Sequence, residues 1–313
     1  MTILLNFLSL FLLFIVLGIT ANFVVENIKY IASVLKIRLF AFGILLGLIT
    51  TLPELSVGIN ATIDRASSLS VGNLLSGIIV IFGLVLGVSL FLNRQIITDG
   101  KLSIVIPEVL VIFFSIILGL DGNYGLLDGL IMIVMYFCLI FYLYLVNHSF
   151  NLSHKEIINN NKIAKTIFFS IAGIVIILLT SHWIVGITLN LLNYINISKL
   201  AIGVLVFAIG TNLPEISIAI TSWRQKTSEL SLSHLLSSAF TNVLVLGILA
   251  VMRPINFEVG PTFWTLVVFL SAIMFLFLFF YHSGKKMDRR EGLVLLTIYG
   301  LFLIVNFYFL GFS

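Results

Sequence analysis

Apolar stretches long enough to cross a bilayer follow one another from end to end of this 313-residue chain. A spanning helix needs about 20 consecutive apolar residues. With 60% of residues hydrophobic, 10% charged and a mean hydropathy of +1.20, the chain has too little charge for the surface of a soluble domain. It has far too little polarity for a disordered chain. The sequence therefore specifies an all-α integral membrane protein. Cys138 is the single cysteine, so no disulfide framework exists. The net charge of +4 points to no nucleic-acid partner, because basic residues in a membrane protein mostly report orientation.

Spans are expected at roughly 2–25, 38–63, 68–92, 103–120, 124–147, 164–188, 198–222, 230–252, 260–282 and 291–311. The first has no basic leader and no small-residue cleavage site, and it runs past Ala21, so it counts as a helix and not as a signal peptide. A polar stretch at 147–162 separates two halves of five helices. The expected division is 1–147 for the first half, 148–163 for a short cytoplasmic connection and 164–313 for the second half. With the N-terminus outside, the cytoplasmic connections hold fourteen of the 17 Lys and Arg residues, among them Lys36, Arg94, Lys155, Arg224 and Lys285. Arg65, Lys199 and Arg253 fall on the other side. That asymmetry supports ten spans in a cell membrane with both termini outside.

The two halves repeat each other. GLITTLPELSVGINA at 47–61 matches AIGTNLPEISIAITS at 208–222 around a shared T-x-L-P-E. Thr50, Pro53 and Glu54 pair with Thr211, Pro214 and Glu215, each 161 positions on, and SLSVGNLLSG at 68–77 pairs with ELSLSHLLSS at 229–238 at the same offset. The repeat motifs thus cover 47–81 and 208–242. Five helices lie between the copies, an odd number, so the copies enter the membrane from opposite sides. This is the inverted-topology repeat of secondary transporters, which place their substrate near midplane where the halves meet.

The motif itself points to cations. Glu54 and Glu215 fall mid-span, where a carboxylate costs about 2.5–3.5 kcal/mol or more and turns to a partner or a watery cavity. Pro53 and Pro214 each remove one helix hydrogen bond, freeing the carbonyls of Ile49 and Gly210. Free carbonyls at that depth need protein, water or an ion to satisfy them. Gly47, Thr50, Thr51, Glu54 and Gly58 share one helix face, as do Ala208, Thr211, Asn212 and Glu215. Each face carries a carboxylate, smaller oxygen donors and a small residue. Hard cations take such shells, Ca2+ with about 6–8 oxygens. A single proline kink beside a polar residue is ordinary packing; the same pattern twice, inverted and in register, is not.

With these residues the chain resembles the calcium/cation antiporter superfamily, most closely prokaryotic sodium/calcium exchanger membrane proteins. ANFVVENIKYIASVLKI at 21–37 and LDGNYGLLDG at 120–129 extend the likeness beyond the T-x-L-P-E repeats to nearly the whole chain. The resemblance implies ten helices in two inverted five-helix repeats, with helices two, three, seven and eight enclosing the ions and helices one and six sliding to change access. It implies metal-binding roles for Glu54, Glu215, Thr50, Thr51, Thr211, Asn212, Ser238 and Asn242. This chain departs from the family's usual pattern at Ile49, Thr51, Gly77, Ile81, Asn212, Ser233, His234 and Asn242. Ile81 stands where a cation-binding Asn is expected, and Asn242 where an Asp is common. Two carboxylates remain. They balance one Ca2+ or two monovalent ions, which favours two-for-one coupling with Na+ or H+.

Other residues carry blander expectations. His234 is read as a neutral histidine hydrogen-bonded between helices, Glu108 as a membrane-interface residue, Asp121 and Asp128 as caps of a short outer turn, and Asn22 and Glu26 as connection contacts. FLFLFFY at 275–281 is a lipid-facing run. There is no ATP-binding loop and no H-E-x-x-H zinc motif, so neither an enzyme nor a cofactor is expected. The expected activity is exchange of Ca2+ for Na+ by alternating access, with the inorganic cations and the lipid bilayer as partners. The alternatives are exchange of a divalent cation for H+, a cation channel, or a family member that no longer transports. In a Cys138→Ser background, cysteines introduced at Asn160 and Ser313 are expected to label from opposite sides of the membrane; labelling from one side contradicts the ten-span topology.

Overall fold

The computed structural model describes residues 2–34, 39–98, 100–146, 160–192, 194, 197–225, 228–283 and 286–311. The first half comprises α1 (Thr2–Val34), α2 (Leu39–Thr50), α3 (Leu52–Ile63), α4 (Ser67–Asn93), α5 (Leu102–Leu118) and α6 (Leu126–Val146). The second comprises α7 (Asn160–Leu192), α8 (199–211), α9 (Leu213–Gln225), α10 (Ser228–Met252), α11 (Pro261–His282) and α12 (Arg289–Gly311). Eight described segments are long and apolar enough to cross a bilayer: α1, α4, α6, α7, the run of α8 into α9, α10, α11 and α12. α2 and α3 together form a further span, bent by 44°. α5, with 17 residues, is about 25 Å long, shorter than the hydrocarbon layer.

The helices sort by burial. α4 and α10 are buried over 83% of their spans, whereas α1, α6, α7, α11 and α12 are buried over only 28–39% and turn the rest outward. α4, α5, α6, α10, α11 and α12 share one apolar core that includes Ile78, Phe82, Tyr136, Leu246 and Phe277. α1 and α7 pack against each other along their length. They build a second cluster, with Phe14, Leu17 and Val24 against Ile177 and Ile184, and this cluster also seals α2 and α8 through Leu46 and Phe207.

The two halves cross at a pair of glycines. A Cβ added to Gly72 on α4 would stand 3.2 Å from the Gly203 Cα on α8, and one added to Gly203 would stand 3.1 Å from the Gly72 Cα. Only glycine at both positions allows backbones this close. Two short ribbons tie the halves together again. β1 (Gln95–Ile97) pairs antiparallel with β4 (Lys286–Asp288), and β2 (Asn123–Tyr124) with β3 (Ile255–Asn256). β1 precedes α5 and β2 follows it, so the ribbons clasp opposite ends of that helix. Gln95 and Asn256 are again 161 positions apart, so the clasps repeat with the halves.

Local chemistry explains where the helices start and turn. Asp288 Oδ1 accepts from the Glu291 N–H at 3.0 Å, and Glu291 Oε2 accepts from the Asp288 N–H at 2.7 Å, a reciprocal capping box opening α12. Asp128 Oδ2 accepts from the Gly125 N–H at 2.8 Å and Asp121 Oδ1 from the Asn123 N–H at 3.0 Å, the capping roles expected of both. Pro107 lies inside α5. The Ser103 carbonyl, whose helix partner that proline removes, accepts from the Tyr142 hydroxyl at 2.9 Å instead.

Three readings change. α1 continues to Val34, taking in Asn22 and Glu26, because its packing on α7 carries the helix past the point where apolar composition ends. Glu108 is no interface residue: it is buried within α5, at 5% exposure. The connection at 148–163 lies mostly outside the described residues, and α7 is already helical from Asn160.

Candidate cation-binding site

Both copies of T-x-L-P-E break the helix in the same way. The residue before Leu-Pro leaves helical geometry, with φ −86° and ψ 6° at Thr51 and φ −85° and ψ 12° at Asn212. These near-identical bridge-region values follow from the proline two residues on, which cannot donate the hydrogen bond a continuous helix needs. Past each break the chain restarts as a new helix, α3 or α9, whose first turn holds Glu54 or Glu215. The breaks therefore set a carboxylate at a helix N-terminus, where the backbone dipole favours negative charge.

Glu54 and Glu215 are buried, at 1% and 0% exposure, and the charge of Glu215 acts on Glu54. The threonines cross over between the repeats. The Thr211 hydroxyl has three acceptors around its one hydrogen: Asn73 Oδ1 at 3.1 Å, the Phe207 carbonyl at 3.0 Å and the Glu54 carboxylate. The Thr50 hydroxyl lies 3.1 Å from His234 Nε2, 3.2 Å from the Gly47 carbonyl and within reach of the Glu215 carboxylate. Asn73 and His234 are themselves 161 positions apart. The two networks are thus one arrangement repeated, with an imidazole in one copy where the other has a carboxamide. His234 makes the hydrogen bond between helices expected of it.

The other expected site residues line the same crossing. Ser238 donates to Glu215 Oε1 at 3.0 Å. Asn212 Nδ2 donates to the Ala208 carbonyl at 2.8 Å and Asn242 Nδ2 to the Leu74 carbonyl at 3.3 Å. Thr51 is buried but turns its hydroxyl back on its own helix, 3.1 Å from the carbonyls of Gly47 and Leu48. Ile81 is fully buried and apolar. Among the described residues, Glu54 Oε2, Glu215 Oε2, Asn212 Oδ1 and Asn242 Oδ1 are buried acceptors without a hydrogen-bond partner. Buried acceptors of this kind are rare in folded proteins, and four on one crossing fit a cation. Among the described residues no cluster of three or more His, Cys, Asp and Glu side chains is placed to hold a metal. The oxygens are those of two carboxylates and neutral groups, as suits a hard cation that must also leave.

In the sequence Asn73, with Gly72, fits the family's usual pattern but receives no site role. The 161-residue offset from His234 was the signal that would have found it.

Inverted halves meeting at broken helices, with paired carboxylates and unpartnered oxygens buried at their crossing, define a cation transporter of the inverted-repeat class. The sequence profile of the sodium/calcium exchanger protein family matches residues 5–145 and 165–308. The chain belongs to that family, and is accordingly a multi-pass membrane cation antiporter. It is 25% identical to the sodium/calcium exchanger MaX1 of Methanosarcina acetivorans, over 97% of this chain and 99% of MaX1. It is 23% identical to the membrane protein MJ0091 of Methanocaldococcus jannaschii, over 80% of each. Its fold is similar to that of the sodium-calcium exchanger NCX_Mj soaked with Na+ and Sr2+, with a TM-score of 0.68 and 22% identity over 96% of this chain and 98% of that one.

The repeated hydrogen bond makes a testable statement about His234. Asparagine serves the same position in the first repeat, so His234→Asn is expected to keep the thermal stability of the detergent-solubilised protein. His234→Leu leaves buried polar groups unpaired and is expected to lower stability by about 1–3 kcal/mol. Equal unfolding temperatures for the two variants would contradict the repeated arrangement.

Proposed function

We propose that this protein crosses the cell membrane ten times with both termini outside, and exchanges Ca2+ for Na+ by alternating access. Glu54 and Glu215 take the competing ions in turn. The observation that carries this reading is the set of four buried acceptor oxygens on Glu54, Glu215, Asn212 and Asn242 that no donor among the described residues satisfies. Two carboxylates and several neutral oxygens match the hard, many-oxygen shell of Ca2+. With Thr50, Thr51, Thr211 and Ser238 they form the proposed ligand set. The names of MaX1 and NCX_Mj, each a sodium/calcium exchanger, support the same ion pair.

Access changes, in this reading, by movement of α1 and α7 across the four-helix centre. Their separate apolar cluster and their outward exposure support it. So do the few polar ties across the seam. Ser56 is hydrogen-bonded to Ser181, and Asn60 Nδ2 stands 3.2 Å from Ser181 Oγ. Hydroxyl and amide contacts of this sort are individually weak, at about 0.5–1.5 kcal/mol each, and can break and re-form during a cycle.

Charge counting sets the stoichiometry. Two carboxylates balance one divalent or two monovalent cations. A third monovalent ion would add an uncompensated charge at midplane, which is expensive in hydrocarbon. One cycle therefore exchanges one Ca2+ for two monovalent ions and moves almost no net charge.

Uptake of radioactive Ca2+ into proteoliposomes tests the proposal. Uptake is expected under an outward Na+ gradient, to be lost in Glu54→Gln and Glu215→Gln, and to respond little to voltage alone; Asn242→Asp is expected to make exchange voltage-sensitive. Uptake driven only by a pH gradient would replace Na+ with H+ as counter-ion. Uptake without any counter-ion would make the protein a channel, and no Ca2+ movement would leave it a non-transporting member of the family. Strong voltage-driven uptake by the unmodified protein would overturn the two-for-one count.

A further inference from the structure

The repeat is not symmetrical in what it offers a cation. Ser238 and Asn242 on α10 correspond, 161 positions back, to Gly77 and Ile81 on α4. The second repeat thus supplies a hydroxyl and a carboxamide where the first supplies a bare backbone and an apolar wall. The bare position has a specific use. A Cβ added to Gly77 would lie 3.0 Å from Asn242 Nδ2 and 3.2 Å from Asn212 Nδ2, and within 4 Å of nothing else. The two amide nitrogens converge on the space that a side chain at 77 would take.

The orientation of those amides follows from their partners. Asn242 Nδ2 faces the Leu74 carbonyl and Asn212 Nδ2 the Ala208 carbonyl. A carboxamide oxygen in either place would meet a carbonyl oxygen and be repelled, so each nitrogen is held where it is and each oxygen is turned away. Both oxygens are buried without a partner. The α4 wall therefore presents N–H groups at Gly77 and hydrocarbon at Ile81, and neither draws a cation.

We infer that Gly77 is a specificity-determining residue: it seats the amide groups of Asn212 and Asn242 nitrogen-first against α4 and so commits both of their oxygens to the transported cation. The inference rests on the antiporter reading given above and adds a one-sided coordination shell to it. The cation is held by Thr50, Thr51 and Glu54 from the first repeat and by Thr211, Asn212, Glu215, Ser238 and Asn242 from the second, and stands away from α4. Gly77 acts through the two asparagines and is a positioning residue. A methyl group there crowds both nitrogens, so the amides must shift by a few tenths of an ångström and their oxygens move with them.

Calorimetric titration of the purified protein with Ca2+, together with its ion-free unfolding temperature, tests this. Gly77→Ala is expected to weaken Ca2+ binding by about tenfold or more, with the unfolding temperature nearly unchanged. In an Asn242→Ser background, where the shorter side chain relieves the crowding, the same substitution is expected to weaken binding much less. That non-additivity is the signature of a seat for the amides; a general loss of packing would not produce it. Wild-type affinity in Gly77→Ala overturns the inference alone, as does an equal loss in both backgrounds. An unmodified protein that binds no Ca2+ overturns the antiporter reading and the inference together. If Gly77→Ala does not fold, Asn212→Leu, which removes one of the two oxygens and leaves α4 untouched, is expected to weaken binding; unchanged affinity there also overturns the inference.

Discussion

Two buried carboxylates, one from each half, are the constraint on which the rest of this protein depends. Glu54 and Glu215 repel one another in a medium that screens little. The chain brings them together by breaking a helix in each half, at Thr51 and at Asn212, so that each glutamate opens a new helix. It supports them with threonines exchanged between the halves and with Ser238. It does not neutralise them: among the described residues no lysine or arginine acts on either glutamate, and one oxygen of each carboxylate has no donor. In the proposed function, negative charge is concentrated at the centre and its compensation is left to a mobile ion. That is the physical condition for transport, since a site neutralised by its own protein would have no need of the cargo.

The inverted repeat is what makes such a site reachable from both faces. Each half has the same break, the same crossover threonine and the same glutamate, pointing opposite ways through the membrane. The glycine contact between Gly72 and Gly203 and the two clasping ribbons hold the halves in register. α1 and α7 pack on that centre through a second apolar cluster, which α2, α3, α8 and α9 share. The proposed function assigns the movement to these two helices.

Much of this was legible in the residues because membrane helices announce themselves by length and composition, and because a repeat offset carries register from one half to the other. T-x-L-P-E located both breaks and both glutamates. Asp121 and Asp128 were legible as caps because their spacing from the turn is local. The misreadings share a cause. α1 outran its apolar stretch because packing on α7, which no local pattern encodes, continues the helix beyond residue 25 to Val34. Glu108 was taken for an interface residue because it stands near a helix start; its burial follows from the packing of α5 among other helices, which no local pattern encodes. Gly77 and Ile81 read as losses from a known pattern. Only the three-dimensional arrangement reveals that the space at Gly77 is filled by amides from the other half. Asn73 fits the known pattern but was given no site role for the same reason: its partner, Thr211, is 138 positions away.

The central claim is that a cation joins Glu54 to Glu215. Anomalous diffraction from crystals soaked in Sr2+ or Mn2+ addresses it most directly. The account predicts one strong peak between the two carboxylates, at about 2.3–2.6 Å from their oxygens for a calcium-like ion, on the side of Asn212 and Asn242 and away from Gly77. A peak elsewhere in the bundle, or no peak between the glutamates at soak concentrations that saturate binding in solution, would contradict it.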